Sequence, residues 1–187
     1  MGLPRWAIFI SGRGSNLQSV LDLMGRNHVV LCVTSKSKAI GVLRARRMGI
    51  PVFTFKKDWE ELHRQLLIRK IDYIFLLGFM KLVPAEFVKR WEKRIFNLHP
   101  SLLPKFPGLE AIEKSYQANE AMGVTVHEVV AMMDAGPVIL QSAICGQQQA
   151  WQQPLSRRTL QIAACEQKLV RRFIEGTRKS DRKGVRR

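Results

Sequence analysis

The chain has 187 residues, 46% hydrophobic and 25% charged, which suits one compact domain or two tightly fused halves and excludes a disordered or fibrous chain. Thirty-one Lys and Arg against fifteen Asp and Glu give a formal net charge of +16, which fits anionic small molecules, nucleic acid or anionic membranes equally well. No apolar run approaches the roughly 18–20 residues of a membrane span, and Met1-Gly2-Leu3-Pro4-Arg5 leads directly into a strand-like run, so neither a signal peptide nor a transmembrane helix is expected.

Trp6 to Ile10 (WAIFI) is a short continuous apolar run, the mark of a strand buried on both faces. Leu17, Val20, Leu21 and Met24 follow at helical spacing, closed by Gly25. Val29 to Val33 is a second buried strand. Ile40 to Met48 reads as a helix with Leu43 on its apolar face and Gly49 as its stop. Pro51 to Phe55 is a third strand, and Asp58 with Glu61 makes a capping pair for a helix that turns Trp59, Leu62 and Leu66 inward. Tyr73 to Leu77 is a fourth strand. Strands alternating with helices predict an α/β fold with a doubly wound, mostly parallel sheet.

The rhythm changes after residue 90. Ile95 to Leu98 is a strand running into a loop, His99 to Gly108, that carries Pro100, Pro104 and Pro107. A polar helical stretch reaches about Met122. Gly123 to Val130 and Pro137 to Ile144 are strands joined by Ala131 to Gly136, short enough for a hairpin-like, antiparallel connection in this C-terminal half. Gln147 to Pro154 is a polar loop, and Ser156 caps a last helix that ends at Gly176. These elements make one domain, 1–176, with halves at 1–90 and 91–176.

Beyond it, residues 177–187 are expected to be a disordered basic tail. From Gly176 on, Arg178, Lys179, Arg182, Lys183, Arg186 and Arg187 face only Asp181, and Val185 is the one apolar residue. A solubilising tail fits it better than a nucleic-acid arm. Cys32, Cys145 and Cys165 are odd in number, widely separated and without CxxC spacing, so a reduced, cytosolic protein with neither disulfide nor metal site is expected.

Three segments can carry chemistry. Gly12-Arg13-Gly14-Ser15-Asn16 lies between the first strand and first helix, where an open parallel sheet binds ligands. Its glycines leave backbone N–H groups and a helix N-terminus free for an anion. Leu17 stands where a dinucleotide fingerprint has its third glycine, and Val33-Thr34-Ser35 lacks the ribose-binding acid, so a phosphate monoester fits better; a ligand-free tight turn is the alternative. In Asn97-Leu98-His99-Pro100, strand alternation puts Asn97 and His99 on one side, an amide donor beside a proton carrier. In Met132-Met133-Asp134-Ala135-Gly136-Pro137, Asp134 either forms an Asx-turn or orients His99. His63 reads as a surface residue and His127 as a structural one.

Taken together and in this order, ISGRGSNLQ (Ile10 to Gln18), LGFMKLV (Leu77 to Val83), IFNLHPSLLPKFPGL (Ile95 to Leu109), GVTVHEV (Gly123 to Val129) and DAGPVILQ (Asp134 to Gln141) resemble the folate-dependent formyltransferases. The similarity runs to about residue 175. The GxGSNL loop and Phe106-Pro107-Gly108 point to the branch that acts on glycinamide ribonucleotide in purine biosynthesis.

The resemblance implies a Rossmann-like formyltransferase fold and transfer of a formyl group from 10-formyltetrahydrofolate, as co-substrate, to the amine of 5′-phosphoribosylglycinamide, without a metal. It implies Asn97, His99 and Asp134 as catalytic residues, and Gly12, Arg13, Gly14, Ser15 and Asn16 around the substrate phosphate, with Glu166 on the same substrate. Met80, Lys81, Leu82 and Val83 would line the folate pocket with Asn97, Ala131, Met132, Met133 and Asp134. The chain departs from the family pattern at Arg13, at Glu110 where a His is common, and in a short Phe55–Asp72 stretch, where Lys57 is all that stands for a folate-contacting Arg. Sister activities, a formyltetrahydrofolate hydrolase or a methionyl-tRNA formyltransferase, are the alternatives. The second usually has a further C-terminal domain, for which this chain is expected to be too short. A non-catalytic nucleic-acid-binding module ranks last, because aromatic and basic residues do not interleave.

Overall fold

The computed structural model describes residues 4–144 and 153–184, with side chains described as far as Thr177. Cys145, most of the loop expected over Gln147–Pro154 and the last three residues of the tail lie outside these. The elements in chain order are β1 (Trp6–Ile10), α1 (Ser15–His28), β2 (Val29–Thr34), α2 (Ile40–Arg47), β3 (Val52–Thr54), α3 (Trp59–Ile68), β4 (Tyr73–Leu76) and α4 (Ala85–Arg90). The second half continues with β5 (Ile95–His99), α5 (Ala111–Gln117), β6 (Gly123–Glu128), β7 (Val138–Ala143) and α6 (Leu155–Gly184).

The strands form one seven-stranded sheet in the order β3-β2-β1-β4-β5-β6-β7. The first five are parallel, and β6 and β7 each run antiparallel to the strand before. The pairing of β4 with β5 carries the sheet across the expected boundary at residue 90.

Strand alternation splits the core into two layers. Trp6, Ile8 and Ile10 of β1 join a cluster with Leu17, Val20, Leu21 and Met24 of α1 and Ile162, Leu169, Val170 and Phe173 of α6. Ala7 and Phe9 point to the opposite face, packing with Leu62 and Leu66 of α3, Phe87 of α4 and Trp91 just after it. Helices on both faces explain why WAIFI is apolar without a break. The parallel strands end on one edge, where the order reverses between β1 and β4, and that edge is where such sheets bind ligands.

Several expectations are corrected. Leu43 is 54% exposed; α2 instead buries Gly41, Val42 and Ala45, which lie toward the sheet. Gly25 (φ 61°) kinks α1 without ending it, and helical turns resume to His28. His63 is half-buried and accepts from Trp91 Nε1 at 3.1 Å. His99 is the last residue of β5 rather than the first of a loop. α6 begins at Leu155, so Ser156 lies inside the helix; the Pro154 carbonyl accepts from the N–H groups of Arg157 and Arg158. The same helix passes through Gly176 to Gly184, taking in most of the tail expected to lack structure. Arg and Lys are good helix formers, and no proline follows, so one glycine costing about 1 kcal/mol does not stop it.

Candidate active site

At the end of β1 the chain turns through Gly12 and Arg13 into α1. Gly14 holds a left-handed conformation (φ 71°) that L side chains rarely adopt, and a Cβ there would lie 2.6 Å from Gly41 Cα. The close approach of the two glycines lets α2 brace the loop. The Gly41 N–H donates to Gly12 O at 3.1 Å and Arg44 Nε to Arg13 O at 3.1 Å. The first turn of α1 has no acidic residue of its own, and its N–H groups form the positive end of the helix dipole. Arg13 itself is exposed.

Asn16 reaches across from α1 to α6, its Nδ2 donating to Glu166 Oε2 at 2.8 Å. Burial pushes the Glu166 carboxyl above its ordinary value, and the hydrogen bond from Asn16 only partly offsets this. Asn16 Oδ1 is buried and has no hydrogen-bond partner among the described residues. The loop residues and Glu166, distant in sequence, therefore share one place.

A second cluster gathers at the carboxyl end of β5, two strands from β1 and so roughly 10 Å away by sheet geometry. Its centre is the Asp134 carboxylate, carried on the β6–β7 loop with a left-handed backbone (φ 52°). Both oxygens are engaged outside that turn. Oδ2 accepts from the Gly108 N–H at 2.7 Å and lies 3.4 Å from His99 Nδ1. Oδ1 lies 3.4 Å from Asn97 Nδ2 and 3.4 Å from His127 Nε2. Burial alone would raise the Asp134 carboxyl, but contacts with His127, the Gly108 N–H and the nearby His99 outweigh it and hold the carboxyl below its ordinary value. The structure thus brings Asn97, His99 and Asp134 together, with both Asp134 oxygens in contact with groups beyond its own turn.

His127, expected to be structural, belongs to the same cluster. It pairs with Asn97 across the β5–β6 ladder, and its Nε2 lies 3.1 Å from Asn97 Nδ2. Its Nδ1 donates to Glu128 O at 2.9 Å, and its Nε2 stands between the Asn97 amide and the Asp134 carboxylate. The neighbouring carboxylate settles the Asn97 amide: its NH2 must face the anion, and its oxygen must face away. The only signal in the sequence was parity, since antiparallel pairing in this register puts the two side chains on one face.

His99 is buried and held at both ring nitrogens, with Nε2 2.9 Å from Phe106 O and Nδ1 toward Asp134. The donors suited to a developing oxyanion, Asn97 Nδ2 and His99, are accordingly engaged with protein oxygens. The 3.4 Å contacts to Asp134 are long for hydrogen bonds and are the ones a substrate oxygen would displace most easily.

The remaining expected residues lie on two loops. Met80, Lys81 and Leu82 follow β4 and are exposed, with Val83 half-buried; Ala131, Met132 and Met133 precede Asp134 and are exposed. Phe79, Val83 and Val129 pack on the same core cluster, which roots both loops on one side of the sheet. Lys57 and Glu110 are exposed residues with left-handed backbones, and neither joins the Asp134 cluster. Among the described residues no group of three or more His, Cys, Asp or Glu is arranged to hold a metal, and no helix is long and apolar enough to cross a membrane.

Comparison with known proteins places these features in context. Residues 4–169 match the family described as formyl transferase. The phosphoribosylglycinamide formyltransferase of Escherichia coli is 37% identical over 150 residues, covering 73% of this chain and 71% of that protein. The trifunctional purine biosynthetic protein adenosine-3 of Drosophila pseudoobscura is 38% identical over 155 residues, 75% of this chain, but the match spans only 11% of that much longer protein. The crystal structure of phosphoribosylglycinamide formyltransferase from Anaplasma phagocytophilum superposes with a TM-score of 0.86 at 34% identity, over 92% of this chain and 86% of that one.

Proposed function

The chain belongs to the formyl transferase family, and from that premise we propose that it transfers the formyl group of 10-formyltetrahydrofolate to the primary amine of 5′-phosphoribosylglycinamide. The observation that carries this assignment is the convergence of Asn97, His99 and His127 on the Asp134 carboxylate, two strand spacings from the glycine turn at Gly12–Asn16. Relatives and structural neighbours named for this activity support it over the sister reactions.

In this scheme the substrate phosphate sits on the N-terminus of α1, held by backbone N–H groups of Gly12–Asn16. The buried acceptor Asn16 Oδ1 and the Glu166 carboxyl need hydrogen-bond donors, which ribose hydroxyls supply. Met80, Leu82, Val83, Ala131, Met132 and Met133 present apolar side chains to the folate. The amine nitrogen attacks the formyl carbon, a new C–N bond forms, and the carbonyl electrons move to oxygen. Asn97 Nδ2 stabilises that oxyanion by leaving its long contact with Asp134, and the His99 ring, still held by Asp134, stands beside it. As the intermediate collapses, the bond to folate N10 breaks, and the proton lost by the amine reaches N10 by way of His99, which Asp134 orients.

The test is direct. Purified protein with both substrates should release tetrahydrofolate in step with formylation of the amine. Formate release without the ribonucleotide would indicate the hydrolase, and formylation of methionyl-tRNA the tRNA enzyme.

A further inference from the structure

Ser11 is the residue after β1, and only 4% of it is exposed. The ladder between β1 and β4 ends with Phe9 opposite Leu76, and the Leu77 N–H still donates to Phe9 O at 2.9 Å. Past that point the two chains part: one enters the Gly12–Asn16 turn, the other the Met80–Val83 segment. The Ser11 side chain bridges the gap. Its Oγ accepts from the Met80 N–H at 2.8 Å and lies 2.5 Å from Ser35 Oγ, at the exit of β2. One hydroxyl therefore ties together the exits of three neighbouring strands, β2, β1 and β4. The Met80 N–H has left the β-ladder, and Ser11 supplies the acceptor that a strand partner would otherwise give.

We infer that Ser11 is a positioning residue for the folate side of the site. Its hydroxyl fixes the first residue of the Met80–Val83 segment relative to the turn that starts one residue later, and so sets the distance between the two substrates. This rests on the proposed function for the identity of the ligands, though not for the hydrogen bond itself. Ser35 completes the valence of Ser11 Oγ but does not touch Met80, so the two serines separate the roles. If only the sheet end mattered, both would be equally important. If the Met80 link matters, Ser11 alone would be.

Three variants test this in the full-length chain. Ser11→Ala should raise KM for 10-formyltetrahydrofolate about fivefold, the worth of roughly one ordinary hydrogen bond. KM for the ribonucleotide should stay within about twofold, and kcat should fall less than the folate kcat/KM. Ser11→Thr, which keeps the hydroxyl, should restore the folate KM, and Ser35→Ala should leave it within about twofold. An unchanged folate KM in Ser11→Ala, or an equal rise for both substrates, would overturn the inference. Should Ser11→Ala not fold, hydrogen exchange in the wild-type protein decides. The Met80 amide should be protected as strongly as the β4 amides, and free exchange would overturn the link. That readout needs no substrate, so it stands apart from any failure of the functional assignment.

Discussion

Asn16 Nδ2 donates to Glu166 Oε2 at 2.8 Å across 150 positions of sequence, joining the first turn of α1 to the middle of α6. The pair leaves a half-buried carboxyl group with Asn16 as its side-chain donor among the described residues, and burial raises its pKa. A raised acid binds its proton in the folded state at pH values where the unfolded chain, with a Glu near 4.3, has lost it. The stability that protonated Glu166 contributes is therefore full below the unfolded value and is lost as pH rises through the folded one.

Glu166→Gln removes that loss while keeping an oxygen for Asn16. The variant should melt higher than wild type at pH 7, and the difference should vanish near pH 4; each kcal/mol is worth about 2–4 °C in a chain of this size. The ribonucleotide KM should rise in the same variant. Thermal melts across this pH range give the answer: equal melting temperatures throughout would mean that the Glu166 charge is not strained by burial.

Gly14→Ala is the smallest change that tests the turn. The substitution puts a Cβ 2.6 Å from the Gly41 backbone at a φ of 71°. It should weaken ribonucleotide binding at least about tenfold, because the left-handed conformation alone costs an L residue roughly 1–2 kcal/mol and the clash moves the N–H donors. Titration with each ligand separately should show folate affinity within about twofold of wild type. Unchanged ribonucleotide affinity would remove the phosphate from this loop.

His127→Phe keeps a ring of suitable size in a buried site and removes the nitrogen that contacts both the Asn97 amide and the Asp134 carboxylate. The expected result is a fall in kcat of about tenfold, smaller than the roughly 10²–10⁴ expected on removing the proton-transfer ring in His99→Gln. Steady-state kinetics of the two variants side by side check the order. Equal losses would show that His127 handles the proton too.

Much of this site was legible in the sequence because its parts are local. Gly14 and Asn16 sit on a strand-to-helix turn, and Asn97 and His99 share a strand parity, so neighbouring residues alone locate them. What was not legible depends on pairing. His127 joins the cluster only because β6 runs antiparallel to β5 in a register that sets it opposite Asn97. Ser11 bonds to Met80, 69 positions away, and Phe106 O sets one nitrogen of His99. Leu43 followed a helical period but sits on the outer side of α2, where the apolar contacts of Val42 and Ala45 had already used the sheet face. Gly176 resembled a stop, yet the basic residues after it favour helix.

The account turns most on Asp134, and Asp134→Asn tests it most directly. Asparagine tolerates the same left-handed backbone and nearly the same shape, so the loop should survive. Because the native carboxyl is held below its ordinary value, its contribution to stability is present above the unfolded value, near 3.9, and lost as pH falls through the lowered one. At pH 7 the variant should therefore melt cooperatively and slightly below wild type, with folate affinity little changed. The anion that orients His99 is gone, and kcat measured with both substrates should fall at least about 100-fold. Near-normal turnover from a variant that melts like wild type would contradict the account, and would leave Asp134 as no more than a turn residue.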